Sequence, residues 1–319
     1  MKIVDMHCDT ISRIYKTPDS ILRQNDFQLD LIKMKSAGYM LQNFAMFMDL
    51  GEDDCPYDTC QKQIALFQTE MEKNKDLILP VTTYEEIIEN EKNGKMSALL
   101  TIEEGQACKG ELSILKEFYE LGVRMMTFTW NHKNTLGSPA EPVDGTAKGG
   151  LTNLGIGFLD AMEQLGIIPD VSHLSDQGIM DVCRLAKKPF VASHSNARAL
   201  CSRGRNLPDE LIKEIAKHDG VIGANFYGPF LTPVPDSEGC FYSYVKDIAK
   251  HIQHMVNIGG ISCIGLGSDF DGIDDNLELK DCSYMELLES ELKKVGFHER
   301  EIENIFFGNV LTLYKELLV

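Results

Sequence analysis

The first residues of the chain that could do chemistry are a histidine and an aspartate two positions apart. His7 and Asp9 follow the apolar pair Ile3–Val4 near the start of the sequence. If this stretch is a β-strand, side chains two positions apart point to the same face, so both could reach one cation. A histidine nitrogen and a carboxylate oxygen are ligands that zinc accepts. Because an HxD triplet is common by chance, the hypothesis requires further ligands after other strands.

Ligand-type side chains do follow four other apolar runs of the sequence. They are Glu103 after 96–102, His173 after 167–172, His194 after 189–193 and Asp269 after 262–267. Taken singly, a histidine there is typical of a hydrogen-bonded structural residue, and an aspartate is typical of a helix cap. Independent caps do not explain six such residues at the ends of five predicted strands, and the pattern therefore favours a metal site.

The number of candidate ligands indicates two metal ions. Three histidines and two or three carboxylates exceed the four ligands of one tetrahedral zinc. Two metals that share a carboxylate lie about 3.5–4 Å apart and activate a water molecule between them. Bound zinc lowers the pKa of water to about 7. The residues therefore predict a hydrolase for a carbonyl or phosphoryl substrate.

Alternating strands and helices would have to position these residues. The predicted strands are the run from Ile3 and residues 40–48, 96–102, 123–129, 167–172, 189–193, 220–226 and 262–267. The predicted helices are 29–37, 58–75, 112–121, 153–165, 176–186, 209–218 and 244–258. A variable loop is expected before Pro18, and a polar functional loop is expected at 133–150. This alternation predicts an α/β protein with a parallel sheet.

Eight such units predict one domain over residues 1–319, a (β/α)8 TIM-like barrel with its active site at the carboxyl ends of the strands. The near-continuous apolar strands fit a sheet that is buried on both faces. A doubly wound open sheet is the alternative. Its dinucleotide-binding form is disfavoured because no GxGxxG follows the first strand.

Composition excludes several classes of partner. The net charge of -18 argues against a nucleic-acid surface and against binding to anionic lipid. No apolar window is long enough to span a bilayer, and Asp5 and Asp9 interrupt any signal peptide. The nine cysteines form no CxxC pair. This pattern predicts a reducing compartment, and hence a cytoplasmic location without a membrane partner.

Seven motifs in order carry a resemblance to a known family. They are Asp5-Met6-His7-Cys8-Asp9, Ile102-Glu103-Glu104-Gly105, Asp170-Val171-Ser172-His173-Leu174-Ser175, Ser193-His194-Ser195-Asn196, Arg203-Gly204-Arg205-Asn206-Leu207-Pro208-Asp209, Asn225-Phe226-Tyr227 and Gly267-Ser268-Asp269-Phe270-Asp271-Gly272. Together they resemble the renal (membrane) dipeptidase family of the amidohydrolase-type barrels, as a soluble microbial-type member. The resemblance runs from residue 3 to the C-terminal helices.

The resemblance implies a dipeptidase that uses two Zn²⁺ per chain. It implies that His7 and Asp9 hold one zinc, that His173 and His194 hold the other, and that Glu103 bridges them. A water between the metals would then be the nucleophile. On a strand Glu104 would face the opposite side from Glu103, which independently favours Glu103 as the ligand.

The resemblance also implies roles in catalysis and in substrate binding. Asp269 would move the proton from the attacking water to the leaving amine. Arg205 would bind the terminal carboxylate of the dipeptide as a planar fork, and Tyr227 would lie beside the substrate. Free dipeptides, including those with a C-terminal D-residue, are the implied substrates, and the family suggests a homodimer. Without the resemblance, Arg205 would be interpreted as a surface arginine beside Arg203.

Two positions depart from the family pattern. Glu104 stands where the family usually has glycine. The fourth strand of the family usually ends in Thr-His, where the histidine contacts the substrate carbonyl, whereas here Trp130 follows Thr129. Trp130, Asn131 and His132 are therefore the substrate-binding candidates of this segment. His132 or Asn131 takes over the missing contact, or the metals alone stabilise the oxyanion.

Two other functions stay open on the sequence. One is a different two-metal amidohydrolase, which would act on a cyclic amide, a lactone or a phosphoester. The other is a non-catalytic homologue that binds metal or peptide, for which the unusual Trp130 speaks. The complete set of predicted ligands, together with Asp269, speaks against it.

Overall fold

The computed structural model describes residues 1–142, 145, 149–235, 237–274 and 276–319, so part of the predicted loop at 133–150 lies outside the described residues. The strands are β1 (Ile3–Asp5), β2 (Tyr39–Phe47), β3 (Ile78–Val81), β4 (Met96–Glu103), β5 (Val123–Thr127), β6 (Ile168–Asp170), β7 (Val191–Ser195), β8 (Val221–Ala224) and β9 (Ile264–Leu266). The helices are α1 (Thr10–Lys16), α2 (Leu31–Ala37), α3 (Pro56–Lys73), α4 (Tyr84–Lys92), α5 (Leu112–Glu120), α6 (Asn153–Leu165), α7 (Asp176–Leu185), α8 (Asp209–Lys217), α9 (Gly228–Leu231), α10 (Val245–Gly259), α11 (Met285–Lys294), α12 (Glu299–Glu303) and α13 (Asn309–Leu317).

Eight of these strands close into a parallel barrel. Their order is β2-β1-β9-β8-β7-β6-β5-β4, and β2 pairs again with β4 to complete the ring. The closing pair runs in register from Leu41 opposite Ser97 to Phe47 opposite Glu103. The prediction of a (β/α)8 barrel is therefore confirmed, and the open-sheet alternative is wrong because the first and last strands of the ring are joined.

The two ends of the barrel differ in character. At the amino ends of the strands, Met40, Val191 and Val221 pack in one apolar cluster with Val310 and Leu313 of α13. The C-terminal helix thus covers this end. The candidate functional site lies at the opposite end, where the strands end in polar residues, as is general for such barrels.

Four of the described elements were not predicted, and one of them is the short helix α9. Helix α1 stands where a loop was expected before Pro18, and it buries Ile11 and Ile14 one turn apart. Strand β3 lies outside the ring along the first half of β4. Helix α4 follows with a capping box, in which Thr83 accepts a hydrogen bond from the Glu86 backbone while the Glu86 side chain accepts from Thr83.

Strand β5 ends at Thr127, two residues earlier than predicted. The backbone that follows is therefore free to turn, and it brings Trp130 and Asn131 into the mouth of the barrel. Within the described residues, no helix combines the length and the apolar character that crossing a bilayer requires.

Candidate metal centre

The carboxyl ends of the strands open into a cleft of about 650 Å³. Seven of the residues predicted for the site line it: Asp9, Glu103, Trp130, Asn131, His173, Tyr227 and Asp269. Helix α1 contributes Arg13 and Lys16 to the same cleft. The cleft is thus walled by strand ends together with one helix that the sequence analysis missed.

The predicted ligands converge at the base of this cleft. They form three overlapping groups whose ligand atoms lie within 4.8 Å of one another: His7, Asp9 and Glu103; Glu103, His173 and His194; and His7, His194 and Asp269. Glu103 belongs to two of the groups. Its Oε2 lies 3.4 Å from Nε2 of His7, and its Oε1 lies 3.0 Å from Nε2 of His173 and 3.6 Å from Nε2 of His194.

Backbone strain is concentrated at the same place. His173, Asp269 and Asp271 have φ of 67°, 66° and 69°, and Glu104 has φ of 105°. Such conformations cost on the order of 1–3 kcal/mol each in residues other than glycine, and they persist only where the surroundings fix them. The turns after β4, β6 and β9 therefore hold these residues in backbone conformations that cost conformational free energy.

The charges of the site depend on burial and on close neighbours. Burial would lower the pKa of His7, but the carboxylates of Glu103 and Asp9 raise it well above its usual value. Burial and the charge of Glu103 raise the pKa of Asp9. Burial and the carboxylates of Asp9 and Glu103 raise the pKa of Asp269 to about 8, although His7 opposes them. The carboxylates of Asp9, Glu103 and Asp269 thus lie close together, and His7 is the neighbouring group that can offset their negative charge.

The other two histidines are held neutral. Burial, followed by the charge of Arg205, lowers the pKa of His173 to about 3. Burial and His7 lower the pKa of His194 well below its usual value. Neutral imidazole is the form that binds a metal. Two divalent cations would also neutralise the buried carboxylates, and Oδ1 of Asp9 is buried without a hydrogen-bond partner among the described residues. The donor set therefore fits a pair of zinc ions.

Glu104 fixes the turn that follows β5. Its buried carboxylate accepts hydrogen bonds from the backbone N–H of Trp130 at 2.9 Å and from Nδ2 of Asn134 at 2.5 Å. It thereby fixes the turn after β5. From that turn, Oδ1 of Asn131 lies 2.9 Å from Nδ1 of His173. The sequence did not predict this contact between a candidate substrate residue and a candidate ligand.

Trp130 forms one wall of the cleft. Its ring packs edge-on against Phe47, with centroids 4.9 Å apart, and lies 6.1 Å from the ring of His173. His132, two residues on, points to the rim, where its Nε2 lies 3.0 Å from Oδ1 of Asp49. His132 is absent from the residues that line the cleft in the described part of the chain.

Arg205 is buried beside the candidate metal centre. Without the family resemblance, the sequence favours a position on the surface. Arg205 is 4% exposed. Its Nη2 donates to the carbonyl of His194 at 3.2 Å. Among the described residues its Nε has no hydrogen-bond partner, and the guanidinium forms no ion pair. Tyr227 lines the cleft and packs edge-on against Phe230, over which the guanidinium of Arg205 also lies.

A family model described as membrane dipeptidase, peptidase family M19, matches residues 1–317. The chain belongs to this family. It is therefore a metallo-dipeptidase, and the resemblance found in its motifs is confirmed. The M19 chain accordingly carries a metal site, for which the three groups above are the candidates.

Relatives of this M19 chain include two fungal dipeptidases. An uncharacterised dipeptidase of Schizosaccharomyces pombe is 28% identical over 99% of this chain and 80% of its own length. Dipeptidase aclJ of Aspergillus oryzae is 32% identical over 80% of this chain and 60% of its own length. A metallopeptidase of Rhodobacter sphaeroides, solved with a phosphinate mimic of L-Ala-D-Ala, superposes with a TM-score of 0.90 at 23% identity and covers 99% of both chains. That likeness shows the shared fold.

Proposed function

We propose that this M19 enzyme is a two-zinc dipeptidase that hydrolyses the peptide bond of free dipeptides. The observation that carries the proposal is the position of Glu103, whose two carboxylate oxygens face different histidines. A carboxylate shared in this way is what a binuclear centre requires. His7 and Asp9 would hold one zinc, and His173 and His194 the other.

Bound zinc supplies a water molecule of lowered pKa and polarises the peptide carbonyl. Asp269 has a geometry suited to proton transfer at that point. Its Oδ2 accepts a hydrogen bond from Nδ2 of Asn225 at 2.8 Å, while its Oδ1 lies 3.8 Å from Nε2 of His7. Oδ1 of Asp269 therefore faces the candidate metal ligands. Asp269 takes the proton from the attacking water and delivers it to the leaving amine.

Arg205 provides the recognition of a free C-terminus. Its buried Nε lacks a partner among the described residues, and a buried donor in that state is costly. A substrate carboxylate would satisfy it and would add an ion pair. An arginine beside the scissile position limits the peptide to one residue after the cleaved bond, which supports dipeptides as substrates.

The wall of the cleft sets substrate shape. Tyr227 and Trp130 both line it, and Asn131 contributes an amide. The Rhodobacter sphaeroides structure contains a mimic of a dipeptide with a C-terminal D-residue. In line with that bound mimic, we include such dipeptides among the proposed substrates of the present enzyme. His132 stays a predicted substrate contact at the rim.

Three further proposals concern the context of the enzyme. Residues 1–319 form one barrel domain. Seven buried cysteines are thiols, which supports the predicted cytoplasmic location. The homodimer suggested by the family stays a prediction, which light scattering of the purified protein would test.

A dipeptide panel with L- and D-residues at each position tests the function. The zinc-loaded protein should cleave free dipeptides and should lose activity after removal of zinc by a chelator. It should cleave the matching C-terminal amides much more slowly. Lack of turnover of every dipeptide by protein that contains two zincs would overturn the proposal. Turnover of lactones or phosphoesters alone would point to the other two-metal amidohydrolase.

A further inference from the structure

A relay of hydrogen bonds lies directly beneath His194. The ring Nδ1 of His194 lies 2.8 Å from Oγ of Ser193, and Oγ of Ser193 lies 2.5 Å from Oδ2 of Asp170. Each of the three residues is at most 1% exposed. None of the roles described so far uses Ser193 or Asp170.

The carboxylate of Asp170 is fully engaged by donors. Its Oδ1 accepts from the backbone N–H of Ser172 at 3.0 Å and of Ser193 at 2.9 Å. Its Oδ2 accepts from Oγ of Thr127 at 3.1 Å as well as from Ser193. A carboxylate can only accept hydrogen bonds, so the single hydroxyl proton of Ser193 points to Asp170 at 2.5 Å rather than to Oγ of Ser172, which lies 3.3 Å away.

The direction of that proton decides the protonation of the imidazole. With its proton committed to Asp170, Oγ of Ser193 can only accept from His194. The imidazole must then carry its proton on Nδ1. Its Nε2, which lies 2.9 Å from Nε2 of His173 and 3.6 Å from Oε1 of Glu103, then directs its lone pair toward the candidate centre. This is the tautomer that a metal needs at Nε2.

The backbone supports this arrangement. Neighbouring side chains on a regular strand point to opposite faces, and contact between Ser193 and His194 requires an irregular strand. The register of β7 against β8 does shift between Ala192 and Ser195. The carbonyl of Ser193 also leaves no room for a Cβ at Gly223 or Gly267, so two backbone segments pack closely against this point of the strand.

From this geometry we infer that Ser193 and Asp170 are positioning residues, which hold His194 in the tautomer that binds the second metal ion. The inference rests on the proposed role of His194 as a ligand. The relay acts through the imidazole and touches neither substrate nor the reacting water.

The chain offers a matched control on the same strand. Ser195 is also buried, and its Oγ has no hydrogen-bond partner among the described residues. Ser195→Ala therefore removes the same atom as Ser193→Ala without breaking a hydrogen bond. Asp170→Asn is the sharper variant. Its amide would donate to Oγ of Ser193, turn the hydroxyl proton toward His194 and favour a proton on Nε2.

Two measurements test the inference. Long-range ¹⁵N NMR of the metal-free protein at pH 7.5 should show His194 protonated on Nδ1 in the wild type and in Ser195→Ala, and on Nε2 in Asp170→Asn. Competition of Zn²⁺ against a chromophoric chelator should show one of two sites weakened about 10- to 100-fold in Ser193→Ala and in Asp170→Asn. Ser195→Ala should stay within about twofold of the wild type, because it breaks no hydrogen bond to the imidazole.

A proton on Nε2 in the metal-free wild type would overturn the inference, and so would wild-type zinc affinity in Ser193→Ala. If that variant does not fold, the wild-type spectrum and Asp170→Asn decide. Failure of the wild type to bind zinc would instead reject the proposed metal function, while the NMR experiment would still report on the relay.

Discussion

The amide oxygen of Asn131 lies 2.9 Å from Nδ1 of His173. The contact joins the turn after β5 to the turn after the neighbouring strand β6, at the mouth of the barrel. An imidazole that donates Nδ1–H to this oxygen presents Nε2 as a free lone pair, 3.0 Å from Oε1 of Glu103. The segment that contains Trp130 is thereby connected to the candidate metal centre.

Asn131→Leu and Asn131→Asp separate two roles for this residue. If Asn131 orients His173, the leucine variant should bind one zinc about 10- to 100-fold more weakly, and the aspartate variant, which keeps an acceptor, should not. Zinc titration of both proteins checks this. An asparagine that contacts only substrate would give a different result, namely full zinc affinity in both variants with a raised KM in Asn131→Leu.

Glu103→Gln tests the shared carboxylate. Glutamine keeps the size of the side chain but can no longer offer two anionic oxygens to opposite histidines. We expect fewer than two zincs per chain by elemental analysis and at least about a 100-fold loss of kcat/KM. Glu163→Gln is the matched control, because that buried side chain accepts hydrogen bonds from the backbone of Lys187 and Lys188 and belongs to none of the candidate ligand groups. Equal metal loss in both variants would contradict the bridging role.

Asp269→Asn should separate metal binding from proton transfer. The variant keeps the hydrogen bond with Asn225 through a rotated amide and should retain two zincs. It cannot accept the proton, and kcat should fall about 100- to 10,000-fold, the range typical of a lost general base. Steady-state kinetics with zinc analysis on the same sample checks this. Wild-type kcat would remove Asp269 from the mechanism.

The barrel was predictable because its signals are local and repeated. Each apolar strand is followed by a polar residue, so the order of residues alone places His7, Glu103 and His194 at one end of the ring. Helix α1 was missed although Asp9, a residue type that is common at helix N-caps, directly precedes it. The capping box at Thr83 and Glu86 was a readable signal for α4 that was not used.

The supporting contacts of the site could not be read from sequence. The contact between Asn131 and His173 joins residues in the turns after two different strands. It depends on the hydrogen bond from the backbone of Trp130 to Glu104, a residue that itself has φ of 105°. Asp170 and Ser193 occur within recognised motifs, but their hydrogen bonds follow from a shift of register in β7. Sequence periodicity predicts which face a side chain takes and cannot predict such a shift.

Arg205→Met tests recognition of the C-terminal carboxylate. A charge-assisted hydrogen bond contributes about 1.5–3 kcal/mol, so KM for a free dipeptide should rise about 10- to 150-fold. Hydrolysis of the corresponding dipeptide amide should change little. Arg203→Met is the control, because Arg203 donates to the carbonyl of Pro229 and stacks on Phe241. Parallel losses on the free dipeptide and on its amide would argue against a carboxylate contact.

His251 links stability to pH away from the metal centre. It lies buried on α10, where its Nδ1 accepts from the backbone N–H of Ala197 at 3.0 Å and its Nε2 donates to the carbonyl of Leu231 at 3.0 Å. Burial lowers the pKa of His251 to about 4, although the bond to Leu231 opposes this effect. The ring is thus neutral in the folded protein. It anchors the start of the segment that leads to Arg205.

A lowered pKa in a histidine makes the folded state less stable in acid. Between pH 6.5 and 4 the unfolded chain binds a proton at this residue that the folded chain does not, so the free energy of unfolding falls as the pH falls. From pH 7 to pH 5 the loss from His251 should be about 2 kcal/mol. Urea unfolding of the metal-free wild type and of His251→Gln at both pH values measures it, because the other titrating groups cancel in the difference. We expect the variant to lose about 2 kcal/mol less than the wild type over this range. An equal loss in both proteins would mean that His251 is already protonated in the folded state.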